Sequence, residues 1–82
     1  MLPDDIAALI KAALPDATVQ VVSDDNTHFE ALIVAEAFAG KRPIARHQMV
    51  YASLGERMGG DIHALSIRAL TPAEWQAQTA GQ

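Results

Sequence analysis

Residues 17–36 read ATVQVVSDDNTHFEALIVAE. The first seven are rich in β-branched residues and stop at Asp24-Asp25-Asn26, whose side chains favour turns. Beyond the turn the pattern alternates. Phe29, Ala31, Ile33 and Ala35 share one face of a strand, and His28, Glu30, Leu32 and Val34 share the other. Two short strands around a tight polar loop predict a hairpin, closed by Ala37-Phe38-Ala39-Gly40.

The flanks follow from that hairpin. Upstream, Asp4 and Asp5 sit where a helix N-terminus favours negative charge, and Ile6, Leu9, Ile10, Ala13 and Leu14 recur at helical spacing. Pro15-Asp16 stops the pattern, which predicts a helix over about residues 3–14. Downstream, Lys41-Arg42-Pro43-Ile44 reads as irregular, because Pro43 disfavours helical geometry at Arg42. From Ala45 the apolar residues Val50, Leu54 and Met58 lie at helical spacing, flanked by Met49 and Tyr51, until Gly59-Gly60 ends the run. Residues 61–70, DIHALSIRAL, alternate again: His63, Leu65, Ile67 and Ala69 on one side, Ile62, Ala64, Ser66 and Arg68 on the other. That composition predicts a well-enclosed third strand. Thr71-Pro72-Ala73-Glu74 has capping-box spacing with proline at the first helical position, so a short last helix carries Trp75. The order α-β-β-α-β-α predicts an α+β layer, three strands with helices on one side.

Eighty-two residues allow one small core, and residues 1–82 read as a single domain with its core over about 3–78. Half the residues are apolar and a fifth charged, which is globular composition. The chain has no cysteine, which excludes disulfides, thiolate zinc sites, self-supplied iron–sulfur clusters and thiol nucleophiles. Its apolar runs are too short to span a bilayer, and the opening MLPDD is acidic where a signal peptide is basic. The expectation is a cytoplasmic protein without a membrane partner.

The net charge of −4 is unevenly spread. Residues 1–36 hold Asp4, Asp5, Asp16, Asp24, Asp25, Glu30 and Glu36 against Lys11, whereas Lys41, Arg42, Arg46, Arg57 and Arg68 outnumber the acids of the second half. Overall acidity disfavours non-specific nucleic-acid binding, which depends on many phosphate contacts. Lys41, Arg42, Arg46 and His47 nevertheless form a basic cluster at the entrance to the central helix. The plainer reading of that cluster is a solvated rim.

The sequence holds no Gly-rich phosphate loop, no Ser-His-Asp arrangement and no H-E-x-x-H, so the expectation is a non-enzymatic protein. Three histidines remain. His28 opens the second strand and His63 the third, so both imidazoles could converge at one sheet edge as metal ligands. Two nitrogens do not close a tetrahedral site; a partner or a small thiol would have to complete it. The ordinary alternatives are an exposed imidazole for His28, a carbonyl-capped strand end for His63 and a solvated helix residue for His47. The helix–strand order also resembles RNA-binding K-homology modules, but their GxxG loop is missing between Phe38 and His47.

Taken together, Thr27-His28-Phe29, Phe38-Ala39-Gly40-Lys41, Arg46-His47-Gln48-Met49-Val50-Tyr51, Ile62-His63-Ala64-Leu65-Ser66-Ile67 and Leu70-Thr71-Pro72-Ala73-Glu74-Trp75 resemble the BolA family. The short loop Ser23 to Phe29 is closer to its IbaG-like branch. The resemblance covers residues 3–78 and implies a class II KH-like fold. It also implies partnership with a monothiol glutaredoxin and a shared [2Fe-2S] cluster, whose thiolates come from the glutaredoxin cysteine and glutathione. The family's C-terminal histidine maps onto His63, and His28 is the imidazole nearest the family's loop ligand. No cofactor is then expected in the isolated chain. Mixed His and Cys ligation would raise the cluster potential, as in Rieske centres. The family's description as transcription regulators implies DNA binding through Lys41 to Tyr51 as the alternative, with homodimerisation open.

Overall fold

The computed structural model describes residues 1–60, 62 and 64–80. Helix α1 spans Pro3–Ala13 and opens with proline at its first position, where the missing N–H costs nothing. Strands β1 (Thr18–Val22) and β2 (His28–Val34) pair antiparallel, Thr18 opposite Val34 and Val22 opposite Glu30. A 3₁₀ turn, Glu36–Phe38, leads to helix α2, Pro43–Leu54. A second 3₁₀ turn, Gly55–Arg57, precedes strand β3 (Ala64–Leu70), which runs parallel to β2 with His28 opposite Ala64 and Val34 opposite Leu70. Helix α3, Pro72–Ala80, closes the chain. The sheet order is β1-β2-β3, so a hairpin strand sits in the middle and α2 forms the crossover that a parallel pair requires. This is the α+β, three-stranded arrangement the sequence predicts.

Alternation explains the layering. Phe29, Ala31 and Ile33 of β2 are buried against α1 and α2, joined by Ile6, Ile10, Val50, Leu54 and Ala69. Phe38 and Ile62 add two more fully buried side chains. The opposite face carries Gln20, Val22, Glu30, Ser66 and Arg68, all exposed. The third strand is therefore less enclosed than its apolar composition suggests, because Ser66 and Arg68 face solvent. Helix α3 sits beside β3, and Gln78 accepts a hydrogen bond from Arg68 Nη2 at 2.6 Å. It thus reaches toward the face that α1 and α2 leave open.

Two boundaries differ from expectation. Helix α2 begins at Pro43, not Ala45: Arg42 is extended (ψ 158°), as a residue before proline prefers, and Pro43 starts the first turn directly. It ends at Leu54 rather than running to Met58. Gly55 takes φ 57°, a left-handed conformation that costs glycine little, while its N–H still donates to Tyr51 O. Met58 then leaves the helical register and forms a bridge with Ile62. The last helix follows expectation closely. Thr71 N–H donates to Glu74 Oε1 at 2.8 Å and Glu74 N–H to Thr71 Oγ1 at 3.1 Å, a complete capping box.

Candidate functional site

The β1–β2 turn is built around one carboxylate. Asp25 Oδ1 accepts the backbone N–H groups of Thr27 and His28, each at 2.9 Å. Its Oδ2 lies 2.9 Å from His28 Nδ1. Ser23 Oγ accepts from Asn26 N at 3.0 Å and donates to His28 O at 2.5 Å, closing the turn from its other side. Asn26 takes the left-handed φ of 57°, which its short polar side chain tolerates. These donors hold the Asp25 carboxyl well below the usual carboxylate range; the His28 backbone N–H contributes most, then the His28 ring and the Thr27 N–H.

An ionised carboxylate can only accept, so Nδ1 is the donor in this contact and Nε2 is the ring nitrogen left outside it. The His28 side chain is 74% exposed, so that nitrogen is open to a partner. This is the arrangement of a metal-ligating histidine whose second nitrogen is oriented by a carboxylate. The ring overlooks a hollow of about 330 Å³ whose lining includes Ser23, Asp24, Glu30, Ala64 and Ser66. A larger hollow of about 570 Å³, lined by Met1, Asp5, Ala8, Leu9 and Arg57, contains no histidine.

His63 lies outside the described residues. Its chain neighbour Ala64 is the register partner of His28. Among the described residues no three His, Cys, Asp or Glu side chains gather in a way that could hold a metal. The chain offers imidazole and carboxylate donors to a metal but no thiolate.

The basic cluster divides. Lys41 and Arg42 are exposed just before α2, and His47 is half-buried in its first turns. Arg46 is buried and leaves the expected nucleic-acid surface altogether. Its Nε donates to Lys41 O at 2.9 Å, and Nη1 donates to Ala69 O at 3.0 Å and to Glu74 Oε1 at 2.6 Å. Nη2 completes a fork on Glu74 Oε2 at 3.3 Å. The guanidinium also stands 6.0 Å from the centre of the Phe38 ring. Arg46, ahead of the Thr71 N–H, lowers the Glu74 carboxyl from its ordinary 4.5 to about 2. Every donor bond described for this side chain goes inward, so it joins α2 to β3 and α3 rather than meeting phosphate.

Two side-chain partnerships escaped the sequence. Asp25 reads as a solvated turn acid, and only its three-residue spacing from His28 hints at a ring contact. Arg46 and Glu74 are 28 positions apart and share no local signal. No helix among the described residues is long and apolar enough to cross a membrane.

The comparisons with known proteins point one way. The family model described as BolA-like protein matches residues 10–74. Human BolA-like protein 1 is 48% identical over 51 residues, covering 62% of this chain and 37% of that protein. A Vibrio cholerae protein named DNA-binding transcriptional regulator BolA is 46% identical over 51 residues, covering 62% of this chain and 48% of that protein. The chain thus spans less than half the length of both relatives. A BolA protein homologue from Coxiella burnetii superposes with a TM-score of 0.78 at 37% identity, covering 93% of this chain and 97% of that one. The chain belongs to the BolA-like protein family.

Proposed function

We propose that this chain is a non-enzymatic adaptor that binds a monothiol glutaredoxin and lends imidazole ligation to a shared [2Fe-2S] cluster, in iron–sulfur trafficking or iron sensing. The observation that supports the reading best is the Asp25–His28 pair, which leaves an exposed Nε2 free to ligate at the end of β2. His63, onto which the family's C-terminal histidine maps, is the first proposed ligand and His28 the second; Ala64, the chain neighbour of His63, pairs with His28 across the sheet. A chain without cysteine supplies no thiolate, so in this reading the thiolates come from the glutaredoxin and glutathione. The five-residue β1–β2 turn is the feature on which placement in the IbaG-like branch is proposed.

Within this reading the chain's residues have separate tasks. Phe29, fully buried, anchors the strand directly beneath His28. Asp25 and Ser23 hold the turn. When bound, the cluster would supply one-electron iron chemistry at a potential raised by nitrogen ligation.

The test is a titration of cluster-loaded monothiol glutaredoxin with this protein, followed by visible absorption and circular dichroism. The spectrum is expected to shift and to saturate at one chain per cluster. His63→Ala should abolish the shift, and His28→Ala should reduce it. A His63→Ala spectrum identical to wild type would overturn the ligand assignment.

A second reading rests on the exposed Lys41 and Arg42 at the start of α2, together with the regulator name of the Vibrio relative. DNA binding through these two side chains predicts a weak salt dependence, with a slope of about −2 in log affinity against log salt. Lys41→Ala with Arg42→Ala should remove binding to a duplex. Unchanged binding in that double variant would exclude the segment as the interface.

A further inference from the structure

His28 presents a puzzle that the Asp25 contact resolves. An exposed imidazole in water rotates freely and favours the tautomer with its proton on Nε2, and that nitrogen cannot ligate a metal while it is protonated. Here the ring is 74% exposed, yet one atom fixes it: Asp25 Oδ2, 2.9 Å from Nδ1. The same carboxylate is immobilised by two backbone donors on its other oxygen. The neighbouring Asp24 lines the same hollow, and no bond from its carboxylate to the ring is among those described. Asp25 is thus tied to the backbone of the residue whose ring it orients.

We propose that Asp25 is a positioning residue that sets the tautomer and rotamer of His28, so that Nε2 is delivered as a metal ligand to a partner-held iron centre. This rests on the adaptor reading above and assigns a role to a residue that touches no iron itself. Carboxylate partners of metal-bound histidines act in this way, and losing one typically weakens metal binding about 10–100-fold. The turn supplies rigidity through the backbone bonds of Asp25 Oδ1, while the ring bond supplies the ligand. One side chain thus couples the loop's shape to His28's chemistry.

The informative variant is Asp25→Asn. Its amide oxygen can still accept the Thr27 and His28 N–H groups, so the turn is retained, but its NH₂ group now faces Nδ1. An NH₂ donor requires Nδ1 to accept, which moves the ring proton to Nε2. Long-range ¹H–¹⁵N correlation spectra of the imidazoles, taken at about pH 8 above the ordinary histidine range, read the tautomer directly. Wild-type His28 is expected to show a protonated Nδ1 and a bare Nε2, and Asp25→Asn the reverse, with backbone shifts elsewhere preserved. Titration with Zn²⁺ alone, followed at the His28 resonances, should show at least about tenfold weaker binding in Asp25→Asn. A wild-type ring protonated on Nε2, or a tautomer unmoved by Asp25→Asn, would overturn the proposal. Equal Zn²⁺ binding by the two proteins would do so as well. Failure of the adaptor reading looks different. The tautomer then switches as expected, yet the spectrum of the glutaredoxin cluster ignores His28→Ala, which removes the iron centre as the recipient of Nε2.

Discussion

Arg46→Ala is expected to lower the unfolding free energy by about 2 kcal/mol, within the range for leaving a buried hydrogen-bond acceptor unsatisfied. For a domain of this size that corresponds to a fall in Tm of about 10 °C. The argument is one of unpaired groups. The substitution strands the buried Ala69 carbonyl, removes the bond to the Lys41 carbonyl and leaves the Glu74 carboxylate with the Thr71 N–H as its remaining described bond. It also uncovers the Phe38 ring. Arg46→Lys should recover only part of the loss, since an ammonium cannot form the fork on Glu74 or reach both carbonyls at once. The acid limb of the stability curve provides an independent check. Glu74 is depressed from 4.5 to about 2 in the folded state. Its stabilising contribution is complete above its unfolded value and is lost as pH falls from about 4.5 toward 2. In Arg46→Ala that decline should flatten, because the main cause of the depression is gone. Urea unfolding at pH 7, pH 4 and pH 2.5 would measure it, and an unaltered acid slope would contradict the assignment.

The same result changes how nucleic-acid binding must be tested. The sequence presents Lys41, Arg42, Arg46 and His47 as one basic cluster. A variant combining Arg42→Ala with Arg46→Ala would mix lost duplex contacts with lost stability. Lys41 and Arg42 are the exposed pair, and only they separate binding from folding.

What the sequence revealed, and what it did not, follows from the range of the interactions. The hairpin, the crossover helix and the Thr71–Glu74 cap are each written in a few consecutive residues, and the structure reproduces them. Glycine misled at the end of α2. Gly59-Gly60 is the stronger local stop, but Gly55 adopts the left-handed conformation first, which lets Met58 bridge to Ile62 and Ile62 enter the core. Arg46 misled for a different reason. Charge and position on a helix do not reveal a carboxylate 28 residues away, nor that the helix turns this residue toward β3. The Asp25–His28 bond lay within reach of local reading, but two adjacent aspartates in a turn gave no means of choosing which one meets the ring. Where the site depends on His63, the family resemblance remains the source of the assignment, since that residue lies outside the described part of the chain.

Phe38→Ala should be the more damaging change, at about 4 kcal/mol. Domains of this length have roughly 4–12 kcal/mol in all, so the variant is expected to be marginal at 37 °C. Phe38 is fully buried, yet it comes from a three-residue 3₁₀ turn between β2 and α2 rather than from a strand or long helix. Its N–H donates to Ala35 O and its carbonyl accepts from Lys41 N, so ring and backbone together fix the approach to α2. Replacing the ring with a methyl group leaves a cavity that a tight turn cannot collapse to fill. Phe38→Leu keeps most of the volume and should cost under about 1.5 kcal/mol. The Arg46 guanidinium 6.0 Å from the ring centre adds a coupling, expected at about 0.5–1 kcal/mol in a double-variant cycle of Phe38→Leu with Arg46→Gln. A coupling near zero would make the ring a volume filler only, and Arg46 would then be held by its carbonyl and carboxylate partners alone. A coupling in the expected range would show that the turn after β2 and the entrance to α2 stabilise each other. The exposed Lys41 and Arg42, which sit between them, would then be presented by a rigid support rather than a pliable loop.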